Sequence, residues 1–187
     1  MGYEVEGGPE LESLLLRRLT RDELGLVWTI DRSELIEAIY RLEDGELVLR
    51  PLPFDVRGWP PGEVEQYAAL HEACWDRGGT FLGAFDADRL VGVAVLDNLP
   101  LGAQRDELQL TFLHVSRDHR GKGLGTRLFE EMRTLARGKG ARYLYVSATP
   151  SENTVRFYRR RGCIVAPEPE PKLLALEPDD IHFICPV

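Results

Sequence analysis

The run Arg120-Gly121-Lys122-Gly123-Leu124-Gly125 places three glycines within five positions, next to two cations. Glycine lets a backbone approach a ligand closely, because no Cβ intervenes. An apolar, strand-like stretch from Leu108 to Val115 precedes the run. Helical spacing follows it, at Leu124, Leu128, Met132 and Leu135. The start of a helix presents N–H groups without intrahelical partners and the positive end of the macrodipole. Glycines and cations at a strand-to-helix turn therefore make a cradle for a pyrophosphate. The spacing is neither that of the P-loop nor the G-x-G-x-x-G of dinucleotide sites. What fits is R-x-x-G-x-G, at Arg120, Gly123 and Gly125. The plain alternative is a tight loop with a helix cap.

The elements that would hold this loop can be followed along the chain. Residues 1–9 read as loose, and 10–19 as a short amphipathic helix with Leu11, Leu14, Leu15 and Leu19 on one side. Gly25 to Ile30 is a strand candidate. After Asp31-Arg32-Ser33-Glu34 a helical pattern runs through Tyr40, and Asp44-Gly45 marks a turn before a strand from Glu46 to Leu49. Prolines break up 51–62, and Glu63 to Asp76 reads as a helix. Thr80–Phe85 and Leu90–Leu96 form a hairpin across Asp86-Ala87-Asp88-Arg89, with Leu108–Val115 as the next strand. A helix from about Leu124 stops at Gly138-Lys139-Gly140. Strand Tyr143–Val146, a helix from Ser151 to about Arg161, and strands Cys163–Val165 and Ile181–Ile184 complete the chain. Such a mixture specifies an α/β (mixed α+β) fold with helices covering a sheet.

Composition narrows the function. A chain of 187 residues with 43% hydrophobic and 29% charged content suits one globular domain, over 1–187, with 1–23 as an N-terminal extension. Glu4, Glu6 and Glu10 stand where a signal peptide wants cations, and no run approaches the length of a membrane span. A net charge of −8 argues against a nucleic-acid partner and favours a cationic amine. The widely spaced Cys74, Cys163 and Cys185 form neither a disulfide framework nor a zinc pattern, which points to a reducing cytoplasm and no metal. The arginines around 117–142 and 156–161 read as solvated helix faces, a few of them within reach of phosphates.

A second cluster joins the loop. Ser151-Glu152-Asn153-Thr154-Val155-Arg156-Phe157-Tyr158 is followed by Gly162-Cys163. This segment and the R-x-x-G-x-G loop together resemble the GNAT superfamily of N-acetyltransferases, well over about 80–165 and by topology beyond. The resemblance implies a mostly antiparallel mixed sheet, splayed between its fourth and fifth strands, here Leu108–Val115 and Tyr143–Val146. Two departures stand out. Ser151 replaces the usual Asn seven residues before the Tyr, while Asn153 sits two residues later, and Cys163 replaces an aromatic.

The resemblance also implies a reaction, in which a primary amine attacks the thioester of acetyl-coenzyme A. Positioning supplies most of the catalysis, because the thioester is already activated. The backbone of Leu113, His114 and Val115 would pair with the pantetheine arm, with Leu113 N–H donating to the thioester oxygen. Gly121, Gly123 and Gly125, with Leu124 and Thr126, would hold the pyrophosphate, and Arg120 and Lys122 would add charge. Ser151, Asn153 and Phe157 would contact the coenzyme. Tyr158 would protonate the departing thiolate, although the same helix can simply pack its Phe157 and Tyr158.

The base is less direct. Gln109 occupies the place where many family members carry a Glu. Strand alternation puts Glu107 on the same face as Leu113 and Val115, so Glu107 could act through a water, while His114 falls on the opposite face with Phe112. Asp31 and Glu34 either bind a cationic acceptor or form a capping box. Trp28, Tyr40 and Trp59 either wall the acceptor site or pack. An acetyl-coenzyme-A-dependent N-acetyltransferase, monomeric or homodimeric, leads. An idle acyl-coenzyme-A-binding module and a nucleotide-binding domain are the alternatives.

Overall fold

The computed structural model describes residues 9–187, so nearly all of the loose stretch expected at 1–9 lies outside the described residues. The chain forms two compact units: Met1–Ser33, Arg57–Asn98 and Phe112–Met132 in the first, and Glu34–Val56, Leu99–Thr111 and Arg133–Val187 in the second.

The first unit opens with helix α1 (Pro9–Glu12) and strand β1 (Leu15–Arg18). The helix expected over 10–19 is thus one turn followed by a strand. Leu15–Arg18 pairs antiparallel with Phe85–Leu82, and that ladder overrides the local helical spacing. The strand expected at Gly25–Ile30 is instead a 3-10 helix, Arg21–Thr29, closed at its start by a reciprocal Thr20–Glu23 capping box. Arg17 adds a bidentate pair to Glu23, at 2.7 and 2.8 Å. Helix α2 runs from Glu63 to Asp76 as expected. Strands β4 (Thr80–Asp86) and β5 (Arg89–Leu101) form the expected hairpin, with Asp86 opposite Arg89.

The remaining elements of this unit carry the glycine loop. Strand β6 (Glu107–Val115), whose Phe112–Val115 end belongs to this unit, ends in it, a 3-10 turn covers Arg117–His119 within it, and helix α3 (Leu124–Gly138) leaves it. A Cβ on Gly92 would come within 3.0 Å of the Leu124 and Leu128 side chains, so the bare backbone of β5 lets α3 pack against it. The core gathers Leu19, Val27, Phe81, Val93, Val95 and Phe112. Arg77 pairs with the buried Asp97 at 2.5 Å, which ties the end of α2 to β5.

The second unit holds a separate antiparallel ribbon, β2 (Glu34–Glu43) and β3 (Glu46–Val56). The helix expected through Tyr40 is therefore β2. Asp44 (φ 49°) and Gly45 (φ 83°) form a two-residue turn with both residues left-handed, the geometry that matches strand twist. The register it sets, Leu42 opposite Leu47 and Tyr40 opposite Leu49, holds 34–43 extended. Strand β3 continues through Pro51 and Pro53 with a register shift opposite Ile36 and Ala38.

In the same unit β6, β7 (Tyr143–Ala148), β9 (Ile181–Pro186) and β8 (Ile164–Val165) follow one another in the sheet. Of these pairs β6 and β7 are parallel, with a register that covers Glu107–Gln109 against Tyr143–Tyr145, and the others are antiparallel. Strand β6 then continues to Val115. Helix α4 (Glu152–Arg159) is capped by Ser151, whose Oγ accepts from Thr154 N, and α5 (Pro171–Leu176) lies in the Pro-rich connection.

One expectation about the cysteines is corrected here. Cys163 and Cys185 form a disulfide, with their Cα atoms 4.1 Å apart, and Cys74 alone is a free, buried thiol. Their spacing of 22 residues gives no hint of this. The register does, because Ile164 opposes Ile184 and the next antiparallel pair is 163 with 185. Among the described residues no helix is long and apolar enough to cross a membrane.

Candidate functional site

In the first unit the loop has the conformation its glycines permit. Gly121 and Gly123 adopt φ of 75° and 91°, which disfavour any side chain. A Cβ at Gly121 would meet nothing within 4 Å, whereas one at Gly123 would lie 3.1 Å from Leu11 Cδ1. Gly123 O accepts the first helical bond of α3, from Arg127 N at 3.0 Å. Leu124, Gly125 and Thr126 therefore form the first turn of α3, which contains no acidic residue. This is the composition an anion at that helix start requires. A cavity of about 380 Å³ flanks the loop, with Leu14, Asp86, Arg89, His119 and Lys122 in its lining. Within it Asp118 sits between Arg89 (2.6 Å) and His119 (2.7 Å). These hydrogen bonds, Arg89 foremost, hold its carboxyl down at about 2.

Arg120 turns inward. Its Nε donates to Val115 O at 2.9 Å, Nη1 to Ser33 O at 2.9 Å and Nη2 to Asp31 O at 3.3 Å. The Asp31 carboxylate accepts from Ser33 N at 2.9 Å, in a local turn rather than at a helix cap, since β2 follows. Hydrogen bonds from Ser33 and the nearby Arg120 and Arg117 keep it below the usual carboxylate range.

An aromatic cluster fills the same unit. Trp28 meets Trp59 edge-on at 4.9 Å, His71 stacks on Trp28, and Phe112 contacts Trp59, Tyr67 and His71. His114 lies with Phe112, 5.0 Å from its ring and 5.1 Å from Trp59. Burial, then the charges of Arg32 and Arg120, push its imidazole down to about 3, so it is neutral at pH 7. Of the expected aromatic wall, Trp28 and Trp59 come together here, while Tyr40 belongs to the second unit. Sequence reasoning missed His71 and Arg32. Arg32 is ion-paired to Glu63 at 2.6 Å and stacked 4.9 Å over Trp59. No motif marks either residue, and the helical spacing of Tyr67, His71 and Cys74 was the only available signal.

Strand β6 alternates as expected, with Leu108, Leu110 and Phe112 buried and Glu107, Gln109, Thr111 and Leu113 half-buried. In the second unit, burial foremost and then Asp106 and Glu170 raise the Glu107 carboxyl above its ordinary value. Ser151 is spent on its cap. Asn153 Nδ2 donates to Glu34 Oε1 at 3.0 Å, which joins two residues that the sequence assigned to different ligands. Phe157 lies under the Arg161 guanidinium at 3.4 Å. Tyr158 is buried beside Phe157 and Phe183, and burial raises its phenol well above the usual range, so it stays protonated.

Comparison with known proteins gives this geometry a context. The model of the "Acetyltransferase (GNAT) family" matches residues 36–163. An aspartate/glutamate leucyltransferase of Shewanella sp. (strain MR-4) is 31% identical over 137 residues, 72% of this chain. The chain spans about half of that relative, 52% of its length. Among solved structures, a nourseothricin acetyltransferase superposes with a TM-score of 0.71 at 18% identity, covering 93% of this chain and 98% of the other. A putative streptothricin acetyltransferase of Bacillus anthracis str. Ames, in complex with acetyl coenzyme A, gives 0.68 at 16% identity, covering 92% and 96%. The PaiA N-acetyltransferase of Thermoplasma acidophilum, in complex with coenzyme A, gives 0.61 at 18% identity, covering 94% and 99%. These structural likenesses speak to the fold.

Proposed function

Since the chain belongs to the acetyltransferase (GNAT) family, we propose that it transfers an acetyl group from acetyl-coenzyme A to a primary amine of a small molecule or peptide. The observation that carries this reading is the loop itself. Gly121 and Gly123 are left-handed and lead into a helix whose first turn lacks acid.

The roles follow residue by residue. Backbone N–H groups over 121–126 hold the diphosphate, with positive charge from Lys122, while Arg120 spends its donors on carbonyls of its own chain. Leu113, His114 and Val115 lie on the part of β6 that runs on past its parallel register, where the strand pairs with the pantetheine arm. Leu113 N–H donates to the thioester oxygen as it gains charge. Glu107, whose carboxyl burial raises above its ordinary value, accepts the ammonium proton through a water. Tyr158 keeps its proton until the thiolate departs. Ser151, Asn153 and Phe157 present α4 to the coenzyme, and the acceptor ammonium meets Asp31 and Glu34.

The single domain works as a monomer or homodimer in the cytoplasm. The Cys163–Cys185 bond is the observation that weighs against that compartment, because disulfides persist where the surroundings oxidise.

Thiol release from acetyl-coenzyme A against a broad amine panel tests the reaction. Amine-dependent release is expected. Calorimetric binding of coenzyme A with no turnover on any amine would favour the idle acyl-coenzyme-A module, a reading that Gln109 in the usual base position supports. Tight binding of ATP or NAD in place of coenzyme A would favour a nucleotide domain. A leucyl donor belongs in the panel because of the leucyltransferase relative.

A further inference from the structure

The donors of Arg120 are taken up by main-chain carbonyls. Three of its nitrogens are bonded to carbonyl oxygens, of Val115 at the end of β6 and of Ser33 and Asp31 in a segment about ninety residues earlier. Further bonds join that segment to the base of the loop. Asp31 N donates to Ser116 Oγ at 3.2 Å, and Arg117 N donates to Asp31 O at 2.9 Å. Ser116 is itself buried, with its N–H on Val91 O at 2.8 Å. Residues 31–33 are thus strapped to the residues that turn directly into Gly121.

The middle of the strap carries a second connection. Arg32 is held by Glu63 and lies over Trp59, and Trp59 Nε1 donates to Ile30 O at 3.2 Å. Trp59 in turn contacts His114 at 5.1 Å. A continuous set of contacts inside the first unit therefore runs from the loop through Arg120, the strap and Arg32 to the Trp59–His114 face. A planar guanidinium suits this fork, because it presents donors in fixed directions to several carbonyls at once. A lysine would keep the charge and lose the fork.

We infer that Arg120 is a positioning residue: through the strap 31–33 it sets the Arg32–Trp59–His114 face according to whether the loop holds a diphosphate. The inference rests on the coenzyme reading above and adds a partner for it, a face whose position follows loop occupancy. A residue that only lent charge to phosphate would be replaceable by lysine, and one that only packed would transmit nothing.

The test uses the full chain with 5-fluorotryptophan in place of its three tryptophans, Trp28, Trp59 and Trp75. Single Trp→Phe variants assign the fluorine resonances, and coenzyme A is the probe. Saturation is expected to shift the Trp59 resonance while that of Trp75, which packs on Phe81, stays put. In Arg120→Lys, coenzyme affinity by calorimetry should remain within about threefold of native while the Trp59 shift falls by at least half. Glu63→Ala removes the acceptor that holds Arg32 and leaves the loop residues unchanged. It should retain native affinity and also lose the shift, which keeps the test open if Arg120→Lys fails to fold. Coenzyme binding to the native chain with no movement at Trp59, or the full native shift in either variant, overturns the inference. No coenzyme binding by the native chain fails the proposed function instead, and calorimetry separates that outcome from the others.

Discussion

Trp28 and His71 lie face to face, with ring centroids 5.2 Å apart and planes within 10°. His71 is 3% exposed, and among the described residues neither of its ring nitrogens has a hydrogen-bond partner. Burial lowers its pKa from 6.5 to about 4. Between those values the unfolded chain holds the proton and the folded chain does not, so stability rises with pH. It is complete above about pH 6.5 and falls as the pH drops toward 4, by on the order of 3 kcal/mol from this residue. His114, lowered to about 3, acts in the same direction. Urea unfolding at pH 7 and pH 5 should show the loss, and His71→Phe should reduce it. Equal pH dependence in native protein and variant would refute the assignment.

Gly123→Val should weaken coenzyme A binding at least tenfold in a calorimetric titration. The new side chain faces both a φ of 91° and the Leu11 methyl at 3.1 Å. The backbone strain costs about 1–3 kcal/mol and is confined to a loop, so the chain should stay folded by circular dichroism. Unchanged affinity in a folded variant would remove the loop from the site.

Much of this architecture is legible in sequence because its elements are locally consistent. The apolar alternation of 108–115, the four-four-three spacing after Leu124 and the Asp44-Gly45 turn each specify one conformation, and the structure has it. The failures lie where a partner distant in sequence decides. Residues 15–18 have helical spacing but are strand because of 82–85, and 34–40 take their strand form from the ribbon register with β3. At the site, the glycines permit the left-handed φ that Gly121 and Gly123 adopt, since glycine takes it at no steric cost. The direction of the Arg120 side chain depends on carbonyls at 31 and 33, which no local pattern reveals.

Tyr158→Phe should reduce kcat by about tenfold to a thousandfold and change the coenzyme Kd by less than threefold. Burial holds the phenol protonated, so native activity should show no loss from Tyr158 ionisation up to its ordinary value of 10. Steady-state rates beside calorimetry decide this, and an unchanged kcat would leave Tyr158 a packing residue.

Denatured, unreduced protein should show one reactive thiol, from Cys74, and three after reduction. The bond closes a loop of 22 residues, so Cys163→Ser with Cys185→Ser should lose about 3 kcal/mol of stability. Counting thiols on protein taken rapidly from cells also addresses the compartment. Three thiols before reduction would mean that the bond does not form there.

Strand β3 is eleven residues long, with Leu49, Leu52 and Phe54 exposed, and among the described residues it pairs only with β2. A ribbon of this composition is a natural seed for fibrils. Pro51 and Pro53 supply no amide hydrogen, and the shifted register twists the ribbon where they sit. An incoming strand cannot complete a continuous ladder there, so the chain can display a greasy ribbon at high concentration without recruiting copies of itself into an endless stack.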